Sequence, residues 1–263
     1  MSNKFQQAVS VFEKTESTLI GNCVPGFTRH SRIHAARNFK RMLRCFRTAS
    51  DDDFFFHMTM IVFYSGFIAP TVTKRRHIIH RYFNSYRKAA AYTRKDIARI
   101  LHDPKMIANR NKVEKIVYNA RQFIKLRKEF SSFRSYLLSF NPDYPLSDAR
   151  LDDLREDLRS RFAYLGPATV NHFLIDYAFP VVKPDRMIMR VLHRTHLVAG
   201  ESVHHYEKAI KICKDISERL DTPIRYVDTV FVCLGQVGEA NICSKNKPRC
   251  HICDLERVCK FYD

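Results

Sequence analysis

The feature that most constrains this chain is a set of four cysteines near its C-terminal end: Cys243, Cys250, Cys253 and Cys259. Six, two and five residues separate successive members, so four thiols share one short loop. Such a quartet can close around a single inorganic centre, whereas disulfide pairing within so short a loop makes severe geometric demands. Zinc and iron–sulfur clusters both take four thiolates, and bare coordination chemistry allows either. Between the first two cysteines runs Ser-Lys-Asn-Lys-Pro-Arg, which puts Lys245, Lys247 and Arg249 on the same loop.

The rest of the composition indicates a helical, nucleic-acid-directed protein. Only 7 glycines and no tryptophan occur in 263 residues, and β-branched runs are short, which leans towards helices. The length suits one large or two modest domains. Lys and Arg outnumber Asp and Glu by 45 to 27, a formal net charge of +18. The excess recurs along the chain, at Arg41/Arg44/Arg47, Lys74/Arg75/Arg76 and Lys125/Arg127/Lys128 among other places. Cations spread through folded segments suit a polyanion, most often nucleic acid. The most apolar run, Phe54 to Ala69, is interrupted by His57, Ser65 and Gly66 and is too short to span a bilayer comfortably. It reads as a buried helix, and no membrane partner is expected. A polar start without a secretory signal, together with unpaired thiols, fits a reducing bacterial or archaeal cytoplasm and nucleoid.

Hydrophobic spacing predicts an all-α fold. Helices are expected over 31–46, from Asp51–Asp53 to about Ser65, over 74–90 as one helix, and near 94–101. A three/four apolar repeat follows at Val113, Ile116, Val117, Ala120 and Ile124, with further helices around 151–162, 170–177, 185–196, 206–220 and 225–234. Pro142 and Pro145 interrupt the middle of the chain, and Pro180 and Pro184 stiffen a boundary between two helical lobes. Tyr164-Leu165-Gly166-Pro167 reads as a tight hairpin between two helices, with Gly166 free to adopt positive φ and Pro167 suited to a first helical position. The following N-terminus has backbone N–H groups able to hold a phosphate. Asp185, after Pro184, opens a helix, either as a cap or as a carboxylate facing a reacting sugar. Cys23, Cys45, Cys213 and Cys233 read as ordinary buried thiols.

Together these pieces resemble the helix–hairpin–helix DNA glycosylases. The cysteine spacing resembles the cluster loop of the endonuclease III and adenine-DNA glycosylase branch, which implies a [4Fe–4S] cofactor rather than zinc. A second stretch is similar to 3-methyladenine DNA glycosylase I: Asn109-Arg110-Asn111-Lys112-Val113-Glu114-Lys115-Ile116 with Asn119-Ala120-Arg121, then Phe133 to Phe140, and Leu165-Gly166-Pro167. The resemblance implies a helical barrel domain with the hairpin over 54–180, and an iron–sulfur domain built from 1–53 and 181–263.

Carried over by position, the resemblance implies that Asp185 is the catalytic aspartate, within Asp-x-x-x-x-Arg-Val. Ala168 stands where bifunctional members place a Schiff-base lysine, so strand cleavage is not expected. The hairpin residues Leu165, Gly166, Pro167 and Ala168, with Lys245, Lys247 and Arg249, would contact DNA, and Phe67 would wedge into the duplex. Tyr164 replaces the usual first hairpin glycine. Ile61 and Ala69 replace the glutamate and tryptophan that line the methyladenine pocket, which together with Tyr64 and His172 implies an altered base pocket. The expectation is a monomeric, monofunctional DNA glycosylase that acts on double-stranded DNA and leaves an abasic site. A bifunctional enzyme using another lysine, such as Lys183, and a non-catalytic iron–sulfur DNA-binding protein are the alternatives.

Overall fold

The computed structural model describes residues 3–144, 150–236 and 239–261. These residues form fourteen α-helices and no strand. Pro145 lies outside the described residues. The chain divides into two compact units, Leu43–Phe179 and the pair Met1–Met42 with Pro180–Asp263.

The unit Leu43–Phe179 takes the end of α2 (Ser31–Thr48) and then α3 (Asp51–Tyr64), α4 (Ala69–Lys74), α5 (Arg76–Phe83), α6 (Tyr86–Ala90), α7 (Arg94–His102), α8 (Arg110–Glu129), α9 (Phe133–Phe140), α10 (Leu151–Arg161) and α11 (Pro167–Ile175). Its centre is α3, whose residues Phe54, Phe55, Phe56 and Met58 to Phe63 are all buried. Aromatic rings fill the space around it. Phe123 and Phe133 stack with centroids 4.5 Å apart, and Phe54 meets Phe133 at 5.2 Å. Among the described residues, no helix is long and apolar enough to cross a membrane.

Three consecutive aspartates begin α3, and each has a different task. Asp53 closes a capping box with Ser50: the Ser50 hydroxyl accepts from Asp53 N at 3.1 Å and Asp53 Oδ2 accepts from Ser50 N at 2.8 Å. Asp52 Oδ1 accepts from Tyr86 N at 2.8 Å, at the start of α6. Asp51 Oδ1 accepts from Phe133 N at 2.8 Å, at the start of α9, and its other oxygen pairs with Arg127 at 3.1 Å. One acidic run thus satisfies orphan amides of three helices. It also explains a correction. The single helix expected over 74–90 is instead the last residue of α4 followed by two short helices, α5 and α6, because Arg75 (φ −100°, ψ 3°) and the extended Ser85 break it and Asp52 caps the restart.

The other unit comprises α1 (Asn3–Gly21), most of α2, α12 (Arg186–Arg194), α13 (Tyr206–Arg219) and α14 (Ile224–Gly235), followed by the cysteine loop. Phe12 is fully buried and meets Tyr226 and Phe231 edge-on at 6.3 and 5.8 Å. Glu16, on α1, accepts from Tyr226 Oη at 2.7 Å and from Arg32 at 2.6 Å. Two expectations about thiols change here: Cys23 and Cys45 are exposed, while Cys213 is buried and Cys233 half-buried. Cys23 sits in a turn at φ +52°, and Cys45 lies on the outer side of α2.

Replacing Asp52 by Ala removes the cap of α6 while leaving the α3 capping box intact. The expected cost is about 1 kcal/mol, read as a lower urea midpoint at unchanged slope.

Candidate active site and cysteine loop

The hairpin between α10 and α11 is held by the polar residues of the Asn109–Asn119 stretch. Asn119 pins the hairpin backbone with both ends of its amide, donating to Ala163 O at 3.1 Å and accepting from Ala163 N at 2.8 Å. Asn111 donates to the Tyr164 hydroxyl at 2.8 Å. Lys112 is buried, with its ammonium 4.5 Å from the Tyr164 ring centroid and 5.5 Å from that of Phe67. It donates to Val62 O and, at 2.6 Å, to Ser65 O, which closes the C-terminal end of α3. Burial lowers the Lys112 pKa, and among the described residues it has no carboxylate partner. Carbonyl dipoles and ring faces compensate its charge instead.

The hairpin corrects one expectation. Gly166 is extended, at φ −77° and ψ −177°, and the left-handed residue is Tyr164 at φ +66°. A non-glycine residue there costs about 1–2 kcal/mol. The lysine beneath the ring, the amide on the hydroxyl, and Thr169 Oγ1 donating to Tyr164 O at 2.7 Å offset that cost. Packing does not require glycine at 166, where an added Cβ would meet only Thr169 Oγ1, at 3.8 Å. The Gly166 amide donates to that same hydroxyl at 2.7 Å, so the outward amides at the start of α11 are those of Ala168 and Thr169. Leu165 is buried, Pro167 exposed and Ala168 half-buried.

Phe67 lies between α3 and α4, 36 % exposed, beside Ile68 at 72 %. Gly66, at φ +82°, turns the chain into this apolar tip. Ile61 is buried in α3. Tyr64, at the end of the same helix, shares a hydrogen bond with Thr73 Oγ1 at 3.0 Å, and Ala69 is the first residue of α4. His172 lies 3.6 Å from Asp176 Oδ2, an oxygen it shares with His57 at 3.0 Å.

In the other unit, Asp185 is the N-cap of α12. Its Oδ1 accepts from Met187 N at 2.8 Å and from Ile188 N at 3.2 Å. Its Oδ2 is not used by the cap and lies 3.5 Å from Lys183 Nζ, with 20 % of the side chain exposed. Asp228, on α14, was not anticipated from the sequence. Its side chain is 3 % exposed and pairs with Arg225 at 2.8 Å, and its Oδ1 accepts from Lys183 N at 3.1 Å. Burial raises the Asp228 pKa to about 6, with Arg225 opposing and the nearby Asp185 charge adding to the rise. A lone carboxylate on a helix as apolar as α14 is the signal that could have exposed it.

Helix α12 also grips the cysteine loop. Arg190 Nη1 donates to Cys243 O at 3.0 Å. Arg194 donates to Ser244 O at 3.0 Å, Lys245 O at 2.9 Å and Cys243 Sγ at 3.2 Å. From α1, Thr18 Oγ1 accepts from Asp254 N at 2.9 Å, and Asn22, in the turn just after α1, donates to Ile252 O at 3.0 Å. Gly235 allows the loop to close, since a Cβ there would stand 3.1 Å from Cys243 O. Cys243, Cys250, Cys253 and Cys259 line one cavity with Val191, Ile242 and Leu255. Burial raises the Cys253 thiol pKa to about 11 and also raises that of Cys243, where Arg194 opposes the rise. Among the described residues, no three His, Cys, Asp or Glu side chains stand at the spacing of a single metal ion. Four sulfurs around an apolar cavity, one of them receiving a guanidinium hydrogen bond, do fit a thiolate-bound cluster in donor type and number. Lys245 and Lys247 are exposed, whereas the Arg249 guanidinium turns back to donate to Ala240 O.

The raised Asp228 pKa fixes a sign for stability. Between the ordinary carboxylate range and about pH 6, the folded state holds a proton that the unfolded state releases, so stability falls as pH rises through that window. The component is on the order of 3 kcal/mol. Comparing urea midpoints at pH 4 and pH 7 should show this loss in the native protein and its disappearance in Asp228→Asn.

The methyladenine glycosylase family model matches residues 45–174. Solved structures extend the likeness of fold over most of the chain. The 8-oxoguanine glycosylase/lyase of Methanocaldococcus jannaschii, bound to DNA containing 8-oxoguanine, is 17 % identical, with 87 % of this chain and 99 % of that one covered at a TM-score of 0.60. For the 8-oxoguanine DNA glycosylase of Thermotoga maritima the values are 13 %, 90 %, 100 % and 0.58. The 3-methyladenine DNA glycosylase I of Staphylococcus aureus is 26 % identical over 49 % of this chain and 76 % of its own, at 0.42. With an all-helical structure, a pinned hairpin and a capped aspartate, the chain has the fold of the helix–hairpin–helix DNA glycosylases and resembles the methyladenine glycosylase family over residues 45–174.

Proposed function

We propose that this protein is a monofunctional DNA glycosylase that hydrolyses the N-glycosidic bond of a damaged or modified base flipped out of double-stranded DNA. The observation that carries the reading is the division of labour on Asp185: one oxygen holds the helix and the other is not used by the cap. Bond scission builds positive charge on the deoxyribose, as in other glycoside cleavages. An ionised Oδ2 stabilises that charge and orients the attacking water. Before substrate arrives, the Lys183 ammonium compensates the carboxylate charge.

The duplex must release the base before chemistry can occur. In this reading Phe67, with Ile68 beside it, fills the vacated stack. The amides at the start of α11, in the segment Leu165–Ala168 and Thr169, hold a phosphate, as do Lys245 and Lys247. Ile61, Tyr64, Ala69 and His172 line the base pocket. With isoleucine and alanine at two of these positions, the pocket suits an alkylated, oxidised or deaminated base, or a bulky modified one, better than it suits unaltered 3-methyladenine recognition. A [4Fe–4S] cluster on Cys243, Cys250, Cys253 and Cys259 would supply a rigid core to the loop that α12 grips. The reaction itself needs no open metal position.

A second reading is favoured by one contact. Lys183 Nζ, 3.5 Å from Asp185, could attack the sugar C1′ and make the enzyme a lyase. Ala168, in place of the usual lysine, speaks against it, and borohydride trapping of a covalent protein–DNA adduct is the result that would favour it.

Asp185→Asn separates chemistry from capping, because Asn caps a helix about as well as Asp. Once mass spectrometry of bases freed from a panel of modified duplexes has identified a substrate, the variant should keep its thermal midpoint and duplex affinity while release falls by at least about 10²-fold. Undiminished release would remove Asp185 from the mechanism. For the cluster, anaerobically purified protein should absorb near the violet end of the visible spectrum, and Cys250→Ser should lose both the band and the bound iron.

A further inference from the structure

The long helix α2 enters neither the chemistry nor the hairpin, and its charges are arranged unlike any other helix here. From residue 17 to residue 50 there is no Asp or Glu, while Arg29, Arg32, Arg37, Lys40, Arg41, Arg44 and Arg47 all fall in that stretch. At about 100° per residue, Arg37, Lys40, Arg41, Arg44 and Arg47 lie within an arc of about 120° along a rise of about 15 Å. All five are exposed. Among the described residues none of the five has an ion-pair partner, whereas Arg32, on another side of the helix, is paired with Glu16 at 2.6 Å. Ala35, Phe39, Met42, Leu43 and Phe46 occupy the opposite arc and are partly or fully buried.

We propose that this stripe of α2 is a second DNA-contact surface, which tracks the phosphates of one strand away from the extruded base. The proposal rests on the reading of the protein as a DNA glycosylase. Neighbouring cations three or four residues apart stand about 4.5–6 Å from one another along the helix axis, roughly one to two of the 3.4 Å axial rises per phosphate of a single strand. Four of the five are arginines, which bind phosphate through a planar fork. An amphipathic basic helix can instead lie on an anionic membrane, but that mode buries the apolar face in lipid. In α2 that face is turned towards protein: Phe46 is 1 % exposed with its ring 4.3 Å from that of Tyr144, and Ala35, Phe39 and Met42 are half-buried over a cavity they line with Pro223 and Tyr226. The cationic side is the more exposed one.

The test is equilibrium binding of a fluorescent, undamaged duplex between about 50 and 200 mM salt. Releasing about 0.9 counterion per phosphate contact, R37Q/K40Q/R41Q/R44Q/R47Q should reduce the slope of log affinity against log salt by about 3–5. The milder R37Q/R44Q should reduce it by about 2, which keeps the test decisive if the fivefold variant does not fold. K208Q/K211Q/R219Q, on α13, removes exposed charge elsewhere and should leave the slope nearly unchanged. A native slope in either α2 variant, or an equal loss per charge in the α13 variant, overturns the proposal. So does binding to phosphatidylserine vesicles that the α2 variants lose while duplex binding stays native. If the unaltered protein shows no salt-dependent duplex binding, the glycosylase reading itself fails; if it binds and only the α2 variants match it, the stripe alone is refuted.

Discussion

Two buried guanidinium groups on α12 organise the unit that carries Asp185. A buried arginine cannot shed its charge, so each must find acceptors inside the protein. Arg190 and Arg194 find them in the carbonyls of Cys243, Ser244 and Lys245 and in the Cys243 sulfur. The loop is therefore held by its backbone, independently of any group its thiols bind. The same helix begins at Asp185, whose carboxylate satisfies the amides of its first turn. The position of the proposed catalytic oxygen and the position of the cysteine loop are consequently set by one rigid element about two and a half turns long.

This arrangement reconciles two roles that would compete on a flexible side chain. Capping fixes the Asp185 carboxyl to within a narrow range of orientations, which is the preorganisation that electrostatic catalysis requires. It consumes only Oδ1. Beneath it, Asp228 binds the Lys183 amide and Arg225, so the segment Lys183–Pro184–Asp185 is anchored from α14 as well as from α12. The energetic cost of holding a carboxyl group in that interior is visible in the raised Asp228 pKa.

Much of this was legible in the residues. Helix periodicity located α3, α8 and α10 to α14, because their apolar faces repeat cleanly and their ends carry strong caps such as Asp185. What escaped was set by contacts distant in sequence. The run 74–90 has helix-forming residues throughout, and only Asp52, reaching from α3 to Tyr86 N, reveals why it restarts. Helix α1 lies outside the expected set although Ala8, Val11, Phe12, Thr15 and Leu19 follow a three/four repeat and all are buried; polar residues interleaved with that repeat at the start of the chain mask it. In the hairpin, local conformational preference pointed to Gly166, yet Tyr164 carries the left-handed turn, because Lys112, Asn111 and Thr169 reward that ring and its carbonyl. The exposure of Cys23 and Cys45 was not legible, because residue type alone does not reveal which side of a turn or an amphipathic helix faces water.

The buried lysine of α8 has a mechanical meaning. Its ammonium is shared by the last carbonyls of α3, by the tyrosine of the hairpin and by the ring of Phe67, so a single post fastens the apolar tip after α3 and the hairpin before α11. Pulling either one away would strand a cation in a dry interior. The turn at Phe67 and the hairpin at Tyr164 are therefore tied to one another through a single buried charge.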